Sequence, residues 1–188
     1  MHTASHRPPA AQGRDITEFE AIFLSHYEAI YRHLFRLLGS PQEAEDLAQE
    51  TFLRLYRQEF APGRDHNVRA WLYRVATRLA YNALRAQRAR DRREQAAAHR
   101  LLSAQAADPA EEALRRDEAE TVRKVLLGLR PRDAQLLLLR YAGLKYREVA
   151  EVLGVAPGSV GTLLARAEAA FEQAYRAATA APPGEGSP

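Results

Sequence analysis

An all-α fold of two small helical domains is what this sequence predicts, and three observations carry the prediction. Strand signals are scarce, because Val and Ile are sparse and no useful run alternates apolar with polar. Apolar residues instead recur at helical spacing along most of the 188 residues. A polar, Ala- and Gln-rich stretch separates two such blocks. The expected division is an unstructured leader at 1–15, a helical domain at 16–93, a flexible linker at 94–108, a second helical domain at 109–177 and an unstructured tail at 178–188.

Each helix has recognisable ends. The first is expected over Ile16 to Leu38, with Phe19, Ile22, Phe23, Tyr27, Ile30, Leu34 and Leu37 on one face and Gly39 beyond its end. Ser40-Pro41 opens the second, with Ser40 as N-cap, Pro41 in the first turn and Glu43 at capping-box spacing, and it reaches about Gln58. The Pro-Gly pair at 62–63 marks a loop. The third helix covers Asn67 to Arg93. Asp108 and Pro109 restart helical structure to Leu127, and further helices follow over Arg132 to Tyr141, Lys145 to Leu153 and Pro157 to about Ala177.

The third helix is the most informative. From Asn67 to Arg93 it carries eight arginines against one acid, Asp91, with two tyrosines and the only tryptophan among them. Wound as a helix, it places Leu72, Val75, Ala76, Leu79 and Ala83 on one face. Arg74, Arg78, Tyr81, Arg85 and Arg88 fall opposite, with Trp71 and Asn82 along the edge. One side can enter a core while the other offers guanidinium groups to phosphates and flat rings to unstacked bases. The competing reading is a solvated face that happens to be basic.

Charge is unevenly spread: acids outnumber bases from Glu18 to Glu59, and the balance reverses from Arg69 to Arg93, although the net charge is only +3. The absence of cysteine excludes a disulfide framework, a thiolate metal site and a cysteine nucleophile. Histidines are scattered, no metal-ligand spacing or phosphate-cradling glycine loop occurs, and neither a catalytic site nor a cofactor is expected. No apolar run approaches the roughly 18 residues that span a bilayer, and residues 1–15 lack a signal-peptide core. A cytoplasmic location without membrane insertion is expected.

The segment YREVAEVLGVAPGSVGTLLARAEAAF has helix-turn-helix spacing. Ala150 is small where helices cross, Gly154 suits a positive φ, and Val149, Leu153, Val155, Val160 and Leu164 form a small core. The groove-facing surface would hold Lys145, Arg147, Pro157, Gly158, Ser159, Thr162 and Arg166. It is a weak base reader, since no bidentate Arg, Asn or Gln lies in the opening turns, and a purely structural use of the motif stays open.

Three stretches together, AEDLAQETFLRLYR at 44–57, RAWLYRVATRLAYNALRAQRAR at 69–90 and LLLLRYAGLKYREVAEVLGVAPGSV at 136–160, resemble the extracytoplasmic-function sigma factors of the sigma-70 superfamily. The resemblance implies that the first domain is a region 2 helical bundle and the second a region 4 helix-turn-helix. It implies core RNA polymerase and promoter DNA as partners and an anti-sigma factor as inhibitor. Residues 44–57 match the part that docks on polymerase, and Asp46, Gln49, Glu50, Leu53, Arg54 and Arg57 become the expected contacts. Residues 67–90 match the part that melts and holds the −10 element. Arg69, Trp71, Arg74, Arg78, Tyr81, Asn82, Arg85 and Arg88 become its expected readers, although Trp71 suits a core anchor as well. The loop Glu59 to Asn67 matches the segment that helps select a flipped base. The second domain corresponds to the −35 reader, yet Gly161, Leu163 and Glu168 stand where the family often has basic residues, so shallow −35 discrimination or a regulatory contact is expected. The alternative function is a helix-turn-helix regulator acting on duplex DNA without polymerase.

Overall fold

The computed structural model describes residues 16–58, 67–98 and 110–180, and among them every regular element is helical. The helices are α1 (Ile16–Leu38), α2 (Pro41–Arg57), α3 (Val68–Ala98), α4 (Ala110–Gly128), α5 (Pro131–Tyr141), α6 (Tyr146–Leu153) and α7 (Val160–Thr179). A 3-10 turn, Pro157–Ser159, leads into α7, where a continuous helix from Pro157 is expected. The base-selecting loop apart from Asn67, the start of the fourth helix at Asp108 and Pro109, the leader, residues 99–108 of the linker and residues 181–188 of the tail fall outside the described residues.

Helices α1 to α3 pack mutually into one bundle. The junction of α1 and α2 is fixed by chemistry that only glycine permits. Gly39 has φ of 73°, and a Cβ there would overlap the Arg123 guanidinium. The next residue starts α2: Ser40 Oγ accepts the Glu43 N–H at 3.3 Å, and Pro41 occupies a position whose N–H has no helical partner. Asn67 caps α3 in the same way, its Oδ1 accepting the Ala70 N–H at 3.0 Å.

Ile30, Leu34 and Leu37 of α1 meet Ala44, Ala48, Phe52 and Leu55 of α2, all almost fully buried. Phe23 sets its ring edge against Phe52 at 5.0 Å, and Phe19 does the same to the half-exposed Tyr56 at 5.3 Å. These apolar areas supply most of the bundle's stabilisation. On α3 the buried stripe is Ala70, Leu72, Tyr73, Ala76, Thr77 and Ala80. Val75, Leu79 and Ala83, expected on the core face, are only partly buried, so the helix is rotated from the expected setting. Tyr73 is the largest buried side chain here and stacks edge-on with buried His33 at 5.0 Å, while His33 Nε2 lies 2.9 Å from Thr77 Oγ1. The helix also continues to Ala98, beyond the expected end near Arg93.

Helices α4 to α7 form the second unit, with α5 and α4 against α7 and α6 against α5. Leu136, Leu139, Leu144, Val149, Ala150, Val160 and Ala167 fill its interior. The turn within the helix-turn-helix closes at Gly154, whose φ of 67° is left-handed and whose N–H returns to the Ala150 carbonyl. Glu148 completes the start of α6 by accepting the Lys145 N–H at 2.7 Å.

Candidate polymerase-docking and nucleic-acid surfaces

Helix α2 buries Ala44, Ala48, Thr51, Phe52 and Leu55 and turns a mixed face outward. Asp46, Gln49, Leu53, Arg54 and Arg57 are exposed and Glu50 is half-buried. Arg54 Nε pairs with Glu50 at 2.7 Å one turn away, and Gln49 donates to Glu45 at 3.4 Å. Exposed Leu53 and Tyr56, each 40% accessible, place apolar area among these charges. A surface of this composition suits a protein partner, because apolar contact supplies affinity and charges set the register.

Helix α3 presents its arginines on the side away from the bundle core. Arg74, Arg78, Asn82, Arg85 and Arg88 are exposed, whereas Arg69, Trp71 and Tyr81 are partly buried. Trp71 is partly buried and packs against the hydrophobic core. Burial pushes the Tyr81 hydroxyl up to about 12, with a hydrogen bond from Gln135 and the Arg88 charge opposing the shift. Tyr81 thus stays protonated and donates to the Pro131 carbonyl at 3.2 Å.

That last contact belongs to a pattern the sequence did not reveal. The second unit lies over α3, and three arginines of α3 end at carbonyls in or just past the last turns of its helices. Arg69 Nη2 donates to Ala142 just past α5 at 3.1 Å, Arg74 Nη2 to Glu151 in the last turn of α6 at 2.7 Å, and Arg88 Nη2 to Leu127 near the end of α4 at 3.1 Å. In the opposite direction, Arg123 Nη1 of α4 donates to Leu38 at the end of α1 at 3.0 Å. Helix ends leave unpaired carbonyls and a partial negative charge, so guanidinium groups are their natural partners. Two carboxylates reinforce the seam, with Glu148 3.5 Å from Arg69 and Glu151 3.3 Å from Arg74. Arg36 also lies 4.5 Å above the otherwise exposed Tyr141 ring. Glu148 and Glu151 are neighbours of the candidate site that sequence reasoning missed, because nothing local announces a partner more than seventy positions away.

In the helix-turn-helix, Lys145, Arg147, Pro157, Gly158, Ser159, Thr162 and Arg166 are all exposed. Gly161 sits under Tyr146, whose ring carbon would be 3.6 Å from an added Cβ. Tyr146 itself is 45% accessible, with Arg140 5.3 Å from its ring centre, and adds an aromatic residue to this face that the sequence reading omitted. Among the described residues no group of three or more His, Asp or Glu is arranged to hold a metal ion, and no single helix is long and apolar enough to cross a membrane.

Two helical units, one with an arginine-lined helix and a helix of mixed outer face and one with a helix-turn-helix, have the composition of a protein that acts on nucleic acid in company with another protein. The comparisons agree. Residues 22–90 match Sigma-70 region 2 and residues 119–171 match Sigma-70, region 4. The ECF RNA polymerase sigma factor SigE of Mycolicibacterium smegmatis is 33% identical over 153 residues, covering 79% of this chain and 58% of that protein. The RNA polymerase sigma factor YlaC of Bacillus subtilis is 32% identical over 150 residues, covering 79% of this chain and 86% of that protein. The fold is shared with CnrH, solved in complex with the cytosolic domain of CnrY, with a TM-score of 0.64 at 18% identity over 87% of this chain and 91% of that one. The chain belongs to the extracytoplasmic-function group of sigma-70 factors and is a transcription initiation factor.

Proposed function

We propose that this chain binds core RNA polymerase through α2, directs it to specific promoters and holds one strand of the −10 element on α3 as the duplex parts. The observation that carries the reading is the two-sidedness of α3. Ala70, Leu72, Tyr73, Ala76 and Ala80 are locked in the bundle, while Arg74, Arg78 and Arg85 are exposed. A rigid base for the arginines lowers the ordering cost of capturing a strand, and phosphate contacts position it. The exposed surface at Ser159, Thr162 and Arg166 docks on the −35 element with little base discrimination, since short hydroxyl side chains accept several bases. The chain performs no chemistry, works in the cytoplasm and is held inactive by an anti-sigma protein.

Strand capture requires the two units to separate, because Arg69, Arg74 and Arg88 are occupied by the second unit's helix ends. Polymerase docking supplies that separation by engaging each unit at its own site. The independent helix-turn-helix regulator is disfavoured by the α2 surface, which such a regulator would not need. Transcription with purified core polymerase on a genomic template library tests the reading. Promoter-dependent products are expected, and their absence overturns it.

A further inference from the structure

The seam between the two units encloses a half-open cavity of about 250 Å3. Arg74, Thr77, Arg78, Tyr81 and Arg85 of α3 line one side and Gln135 of α5 faces them. Its charge is one-sided. Glu151 is the one carboxylate that pairs with these guanidiniums among the described residues, and it is engaged by Arg74. Arg85 rests on neutral acceptors, the Asn82 side chain and the Tyr81 carbonyl. Arg78 has no hydrogen-bond or ion-pair partner among the described residues. Elsewhere along the seam a helix C-terminus answers the arginine, but no carbonyl reaches Arg78. Gathering three guanidinium groups in one half-open cleft adds mutual repulsion that solvent only partly screens, so an anion placed there favours the docked arrangement.

We propose that this cavity binds a small phosphate-bearing anion, which joins Arg78 and Arg85 to Gln135 and holds the two units together. Guanidinium forks match phosphate oxygens in pairs, and the Gln135 amide supplies a neutral donor from the opposite unit. The cavity lies below the roughly 300–1,000 Å3 of sites for larger ligands. It therefore accepts a free phosphate or diphosphate group, whereas a promoter strand reaches the same arginines only once the units part. Anion and strand exclude one another, and the anion acts as an inhibitor of strand capture. The exclusion rests on the assignment of α3 to the promoter strand; the binding itself does not.

The test uses the full chain with cysteines introduced as Glu45→Cys and Glu168→Cys, both exposed positions in a chain that has no cysteine of its own, carrying a donor and an acceptor dye. Sodium pyrophosphate is titrated against sodium chloride at matched ionic strength. Pyrophosphate is expected to bind at one per chain by calorimetry, to raise energy transfer between the units and to weaken binding of a single-stranded −10 oligonucleotide at least fivefold. Gln135→Leu is expected to lower pyrophosphate affinity at least fivefold and leave oligonucleotide binding without anion unchanged. Equal responses to chloride overturn the site, as does undiminished pyrophosphate affinity in both Gln135→Leu and Arg78→Ala. A rise in energy transfer with no loss of oligonucleotide binding keeps the site and removes the promoter strand from this face of α3.

Discussion

His33 shows how one buried side chain ties the bundle to pH. Burial pushes it down to about 3, and the Arg36 charge adds to the effect. Its Nδ1 has no partner, so a neutral ring leaves a lone pair there whereas a charged ring would bury an unpaired N–H. The unfolded chain takes up this proton near pH 6.5 and the folded chain near 3. The contribution is thus complete above about pH 6.5 and is lost as pH falls through that window, by up to about 1.4 kcal/mol per pH unit. Urea unfolding of the protein is expected to lose about 2 kcal/mol between pH 6.5 and 5 from this residue, and His33→Leu should flatten the slope. An unchanged slope in the variant would place the proton uptake elsewhere. Gly39 is the second residue with a global effect. Gly39→Ala needs a left-handed backbone at a β-carbon and displaces Arg123, so a loss of about 1–3 kcal/mol is expected from the same unfolding measurement.

Helices were largely legible before the structure, since each obeys rules that act over a few residues. The bounds Ile16–Leu38 and the Ser40 cap follow from periodicity, glycine and proline alone. The setting of α3 was legible only in part. Its arginine face is where the pattern puts it, but Tyr73 and Thr77 enter the core because His33 and the α1 surface accept them, and that partnership is not local. Its extension to Ala98 escaped because an arginine-rich run lacks the apolar period used to mark helix ends. At this scale the two exposed helix faces are separable. Replacing Arg74, Arg78 and Arg85 together by alanine is expected to reduce promoter opening at least tenfold with core affinity within twofold of the parent. Leu53→Asp is expected to weaken polymerase binding at least tenfold, read by fluorescence anisotropy, and to leave single-stranded DNA binding by the free chain unchanged. Indistinguishable polymerase binding would remove α2 from the docking surface.

Across the whole molecule, the two units face each other with the same groups that are proposed to face the promoter. Helix C-termini stand where phosphates would stand, and Glu148 and Glu151 add the remaining charge. No sequence rule connects Arg74 to a carbonyl 77 positions later, so this arrangement was invisible until the units were seen together. Glu148→Gln with Glu151→Gln should loosen the seam and raise the free chain's affinity for single-stranded −10 DNA about three- to tenfold, with most of the gain lost at high salt. No change would show that the ion pairs do not hold the units together.

The most direct measurement is permanganate reactivity of unpaired thymines in the −10 region, made with holoenzyme reconstituted from this chain on a promoter found by run-off sequencing. Reactive thymines are expected with the parent chain and at least tenfold less reactivity with the Arg74, Arg78 and Arg85 alanine variant at equal polymerase occupancy. Equal reactivity in the two holoenzymes would contradict the assignment of α3 to the melted strand.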